Sequence, residues 1–497
     1  MTNFDRTPLA QMDPAEAWQP WRPDGENPWN LKWTAHLLRR GAFGAPAFKS
    51  DVSTWERTQK AVEQGLDKTI EQVLNGEAGQ AEFDRMMDEI APKFATPPPR
   101  FSFNQDGPEH ELQAWWLYRC CYTPHPLREK MTLFWHNHFA TSIAKVKRTA
   151  LMLRQNQTLR AHALGKFRPL LLDMSRDPAM LIWLDSNSNI KGRANENYAR
   201  EVMELFSLGV GNYSETDIRE AARAFTGWHT NGTEFIFNAA QHDGGSKTVL
   251  KKTGEWDGGD IIRILLEEPA AARFLTRKLY SYLISENESP PDVLLEPLAE
   301  QFRKSDYDMA ALVGAMLRSR LFFSEHAFRQ RIKSPAEFLV GLVRDLDEQQ
   351  RPGQLANALK DLGQSLFAPP NVKGWVGGKS WLNSATLLAR HNLAYALVSP
   401  TDGQQGQPQP VKVRRRGEGG PGASANPVAL VKKYGGASPQ EQVGWGLNLF
   451  LQGDAPPAAK EKLVTFLQEG SPKEAEWDKR WREVVHTILL MPEYQLA

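Results

Sequence analysis

A chain of 497 residues, 41% hydrophobic and 24% charged, has the composition of an ordinary globular protein and enough apolar material for a sizeable core. Its 60 Lys and Arg nearly cancel its 59 Asp and Glu, and a net charge of +1 argues against broad electrostatic capture of nucleic acid. No apolar run approaches the roughly 18 residues that cross a bilayer, so no membrane span is expected.

The chain opens MTNFDRTPLAQMDPAEAW, without the basic segment and apolar stretch of a secretory signal. Cytoplasmic residence is the default expectation, and export bound to a signal-bearing partner is the alternative. Residues 1–29, rich in Pro, Trp and Asp without a period, read as an extended arm. A main helical domain is expected over 30–399. Its predicted helices begin with Asn30–Arg40 and a long amphipathic run, Ser53–Leu74, with Ser53 as N-cap. Pro97-Pro98-Pro99 marks a stiff turn. Helices follow over Glu109–Tyr122, from Leu127 onward, and over Arg148–His162, Phe167–Arg176, Asn197–Leu208, Ser214–Phe225, Gly259–Glu267, Ala270–Ser285, Leu294–Lys304, Met309–Arg318 and Ser334–Leu346. Thr233–Ala239 is the one expected strand, half of a small hairpin. Residues 400–427, rich in Gly, Gln and Pro and holding Arg414-Arg415-Arg416, read as a flexible linker or disordered loop. Three short helices within 428–497 are expected to pack back on the body. The fold class is therefore mainly α, with at most a small β hairpin.

Cys120 and Cys121 are adjacent and read as buried small hydrophobes, because neighbouring cysteines pair poorly. The 16 Trp fit core packing, with a stacking surface for sugars as the alternative.

Chemistry concentrates between His136 and Asp243. His136-Asn137-His138 has the His-x-His form of a transition-metal ligand pair, although i and i+2 on a regular helix point apart. The segment from Asp185 to Glu196 imitates a calcium loop at positions 1, 3, 5 and 12, but Ile190 stands where the loop needs Gly, and Lys191 and Arg193 add positive charge. A polar loop closing on an Asn195 N-cap explains the same letters. On the next helix Asn197, Glu201 and Glu204 form a polar stripe, which can line an interhelical site or face solvent. His242 and Asp243 sit beside Gly244 and Gly245, as an acid/base or ligand pair or as a plain turn. Gly378-Lys379-Ser380 ends like a phosphate-binding loop, but Lys373 occupies the position of its first Gly and no strand precedes it.

The segments MTLFWHNHFATS, NENYAREVMELFSLG, EAARAFTGW, HDGGSKTVL and LFAPPNVKGWVGG together resemble the bacterial family called domain of unknown function 1800, its planctomycete-type members especially, from about Asn30 to the C-terminus. The resemblance implies a composite site that includes His136, His138, Asn195, Glu196, Arg200, Glu201, Glu204, His242 and Asp243. It also implies a neighbour-encoded partner related to sulfatases and alkaline phosphatases. Two readings stand on this basis. One is a metal-dependent hydrolase or oxidative enzyme, with His136, His138 and His242 holding Zn or Fe and Glu201 and Asp243 as catalytic carboxylates. The other is a helical scaffold that binds a partner protein or a polysaccharide.

Overall fold

A computed structural model of the chain describes residues 3–45, 52–95, 107–347, 352–399 and 427–497. Its architecture is mainly α, and regular β structure among the described residues is confined to two antiparallel hairpins. No described helix is long and apolar enough to cross a membrane. The helices that position the site are α1 (Leu31–Gly41), α2 (Gly107–Tyr122), α3 (Pro126–His138), α4 (Thr149–Ala161), α5 (Asn197–Glu201), α6 (Glu215–Ala224), α7 (Pro269–Leu283), α8 (Pro335–Asp345) and α9 (Ser384–Val398).

Local chemistry explains most of these boundaries. Pro126 opens α3 at a position where its missing N–H costs nothing. Ser214 and Ser334 start α6 and α8 through capping boxes closed by Asp217 and Glu337. The amphipathic run after Ser53 is two helices, Thr54–Gln64 and Leu66–Asn75, because Gly65 between them takes φ +88°. The first residues are not extended: Asn3–Arg6, Leu9–Gln11 and Pro14–Trp18 are short helical pieces. Their Phe4, Leu9, Met12 and Ala17, with Trp21 beyond them, bury themselves, and Trp21 stacks on Phe323 at 4.5 Å. Apolar area removed from water outweighs the lack of periodicity there.

The hairpin predicted around Thr233–Ala239 is β1 (Trp228–Thr230) paired with β2 (Phe235–Phe237), Trp228 opposite Phe237. A second hairpin joins β3 (Lys247–Val249) to β4 (Lys252–Gly254). Its turn residues Leu250 and Lys251 both have positive φ, the two-residue hairpin geometry normally marked by Asn-Gly. Neither residue advertises that turn. The turn at Pro97–Pro99 and the Arg414–Arg416 linker lie outside the described residues, as does nearly all of 400–427.

Buried apolar side chains form two clusters. One gathers Trp33, Met131, Trp135, Phe167, Phe206, Ile262 and Leu275. The other joins Trp116, Leu133 and Phe338 to Val443, Trp481 and Val485 of the C-terminal helices. Helix α3 supplies residues to both, and its neighbours Glu129 and Lys130 are fully buried. Glu129 takes Arg160 Nε at 2.6 Å and Nη2 at 3.0 Å, Arg119 Nε at 3.3 Å, and the Trp116 indole N–H at 3.0 Å. Lys130 pairs with Glu337 at 2.8 Å and donates to the Arg39 carbonyl at 2.6 Å. Glu337 in turn takes Arg331 Nη1 at 3.1 Å.

Burial alone would raise the Glu129 carboxyl, but Arg160 and Arg119 outweigh it and bring it down to about 2. A carboxylate with a lowered folded pKa contributes stability above its ordinary value of 4.5 and loses it as pH falls toward about 2. Glu129→Ala leaves two buried guanidinium groups short of their counter-charge. It should cost about 3–5 kcal/mol in urea unfolding near neutral pH. The gap to the parent protein should narrow as pH falls through that window. A gap of constant size would show that the carboxylate charge is not what stabilises this contact.

Candidate functional site

Helix α3 ends at His138, and the two imidazoles near its end turn to opposite sides. His136 lies against Trp116, Phe367 and Trp375, with ring centroids 5.2–5.8 Å away. Its Nε2 accepts the Phe367 backbone N–H at 3.1 Å, which puts the ring proton on Nδ1. Burial lowers its pKa to about 3, so it is neutral near neutral pH. The loop 369–377 closes over this side. Asn137 grips it with both ends of its carboxamide, accepting the Trp375 N–H at 2.7 Å and donating to the Trp375 carbonyl at 3.2 Å. Gly374 has φ +76°, and a Cβ there would sit 2.2 Å from Asn137 Oδ1. Only Gly permits that approach.

His138 faces the other way. Its Nε2–H donates to the Phe206 carbonyl at 3.1 Å, and Lys278 Nζ donates to its Nδ1 at 2.9 Å. The Phe206 carbonyl is free because its helix is ending. After α5 the chain passes into a π-helical turn, Val202–Ser207, stopped at Gly209 with φ +78°. The last carbonyls of a helix lack partners within it, and such π-turns occur often at functional sites. Phe274 of α7 packs against Gly209, where a Cβ would stand 2.9 Å from its ring. Lys278, also on α7, is half-buried, and its Nζ lies 5.2 Å from the Phe274 ring centre. Burial brings its pKa down to about 8, and among the described residues no carboxylate pairs with it. The His138 ring is held well below its usual value by burial first and then by the Lys278 charge.

Glu201 and Glu204 are half-buried on the π-turn side. Burial, and then the Glu204 charge, raise the Glu201 carboxyl, and Lys373 of the closing loop opposes the shift. Tyr213 donates its hydroxyl to Glu204 at 3.1 Å, and burial first pushes that phenol up to about 12. Arg200 is taken by Glu196 and Glu215.

His242 and Asp243 stand apart in the loop between β2 and β3. His242 Nδ1–H donates to the Thr226 carbonyl at 2.9 Å, leaving Nε2 as the acceptor nitrogen. Asp243 takes Arg223 Nε at 2.8 Å and the Gly245 N–H at 3.0 Å. The Arg223 bond leads in lowering its pKa to about 2. The asparagines of the calcium-like loop are structural staples. Asn187 pairs with both backbone groups of Thr230, Asn189 donates to the Ala222 carbonyl and accepts the Asn195 N–H, and Asn195 Oδ1 accepts the Asn197 N–H, although the N-cap position of that helix is Glu196 and not Asn195. Asp185 is paired with Lys145 at 2.8 Å.

The described residues therefore contain no group of three or more His, Cys, Asp or Glu that could hold a metal ion. Of the residues singled out by sequence, His138 is brought to a distinctive partner, and that partner is Lys278, which no sequence pattern marks. A family model described as Protein of unknown function (DUF1800) matches residues 36–496. No curated protein and no solved structure matches the chain.

The His136 geometry predicts an acid sensitivity. Its folded pKa of about 3 lies below the ordinary 6.5, so the unfolded chain binds a proton that the folded chain refuses between those values. Stability should fall as pH drops through that window, by about 1.4 kcal/mol per pH unit from this group. His136→Gln should remove that share of the slope in unfolding curves taken across it. An unchanged slope would mean that the ring is not held neutral.

Proposed function

The chain belongs to the DUF1800 family of proteins of unknown function, and we propose that it is an enzyme whose reacting group is the Lys278 amine. One observation carries this reading. A half-buried lysine with no carboxylate partner among the described residues donates to a neutral imidazole and has its pKa brought to about 8. Lysines are rarely buried unpaired, and a desolvated amine with a lowered pKa is the usual form of an amine nucleophile or base. The chemistry that suits it is attack on a carbonyl carbon: the C–N bond forms, the carbonyl oxygen leaves as water, and an imine results. His138 orients the amine through Nδ1 and adds no charge to it, while the Phe206 carbonyl fixes its ring.

A metal-dependent form, with His136, His138 and His242 around Zn or Fe and Asp243 as a second carboxylate, would need His136 and His138 to give up the partners described above and Asp243 to leave Arg223. The amine form needs no such rearrangement, and we favour it for that reason. Partner binding is the second reading, and one observation favours it. Leu387, Leu388 and Tyr395 are exposed on α9, and Val376, on the loop that leads toward it, is 94% exposed.

The amine reading is tested by reductive labelling with glyoxylate and cyanoborohydride, read by peptide mass spectrometry across pH. Lys278 should label ahead of the surface lysines, with a midpoint near 8 instead of the ordinary 10.5. His138→Gln should move that midpoint. Labelling of Lys278 no faster than the median lysine would sink the proposal.

A further inference from the structure

A separate cavity of about 40 Å³ lies between α1, α8, the Thr54–Gln64 helix and the end of the Pro439–Leu451 helix. At roughly 10–15 Å³ for one solvent probe, it has room for about three waters or one small anion. Two cations line it, Arg39 from α1 and Lys333 just before α8. Arg39 donates Nη1 to Gln452 Oε1, while its Nε and Nη2 are buried with no hydrogen-bond partner. Those two N–H groups form the side-on edge of the guanidinium, the edge that grips a carboxylate through two parallel bonds. Lys333 is 6% exposed, lies 3.7 Å from the centre of the Tyr494 ring, and has no ion pair among the described residues.

The nearest acid answers them only through space: the Asp345 charge pushes the pKa of both Lys333 and Arg39 upward without contact. Asp345 lines the cavity, but it takes the Tyr494 hydroxyl at 3.0 Å and forms no ion pair with either cation. Glu337, also in the lining, is already held by Lys130 and Arg331. Buried donors on one edge of a guanidinium are costly when unpaired. A second buried cation beside them adds to the same deficit, and both deficits have one remedy.

We propose that this cavity binds a small carboxylate of formate or acetate size, gripped side-on by Arg39 and faced by Lys333. The site is independent of Lys278 and of the activity assigned to it. Burial, and then the neighbouring Arg329, pull the Arg39 pKa down to about 9, which an occupying anion would reverse.

The test is titration calorimetry and thermal unfolding of the full chain with sodium acetate and sodium formate, at an ionic strength held constant with chloride. A saturable heat and a rise in Tm with either carboxylate are expected. Arg39→Lys, which cannot present two parallel donors, should weaken binding by about tenfold or more. Gln452→Glu, which brings a negative charge to Arg39 Nη1 while leaving the Nε and Nη2 edge open, should weaken the response severalfold in a protein that still unfolds cooperatively. No saturable response, an equal response to chloride alone, or an unchanged response in Gln452→Glu would each overturn the proposal.

Discussion

Glu129 and Lys130 are consecutive residues of α3, and neither touches solvent. Consecutive side chains on a helix point about 100° apart, so each must find its counter-charge in a different neighbour. Glu129 finds Arg119 of α2 and Arg160 of α4, and Lys130 finds Glu337 of α8. Replacing either by an apolar residue would strand charges in a medium that solvates them poorly. This requirement fixes the rotation of α3 about its own axis. Three helices are thereby oriented around one, at the boundary between the two apolar clusters.

The site depends on that rotation. With α3 locked, its last turn must send His136 toward Trp116 and the 369–377 loop and His138 toward α7 and the π-turn. Tyr282 of α7 donates to the Lys130 carbonyl at 2.9 Å, so the helix that carries Lys278 is tied to the same buried charge pair. A lysine can sit beside a neutral imidazole with no carboxylate near it because the surrounding electrostatic demands are met elsewhere, by Glu129 and Glu337.

Much of this was legible in the letters. Apolar spacing and Ser or Asp caps mark helices such as Glu215–Ala224 and Met309–Arg318, where local propensity and tertiary packing agree. The mainly α class also followed, and so did the argument that i and i+2 on a helix point apart, as His136 and His138 do. Other features leave no local trace. Gly65 interrupts a run whose apolar stripe continues on both sides. Leu250 and Lys251 adopt a turn that their side chains do not favour. The π-turn has the same letters as an α-turn. Lys278 lies 140 residues from His138, and its burial is a property of α7 packing on Gly209, which no window of sequence contains. The pairing of Glu129 with Arg160 is hidden for the same reason.

The π-turn at Val202–Ser207 is equivalent to one residue inserted into an α-helix. Deleting that residue would restore ordinary helical hydrogen bonding, so the turn persists at some cost to its own helix. It also turns every residue after it by about 100°, the angle that one helical residue occupies. Phe206 would no longer offer its carbonyl to His138, and Gly209 would no longer meet Phe274. Single-residue deletions here should therefore trade a better helix for a lost contact. That sets the length of this segment as an inherited constraint, separate from the identity of any residue in it.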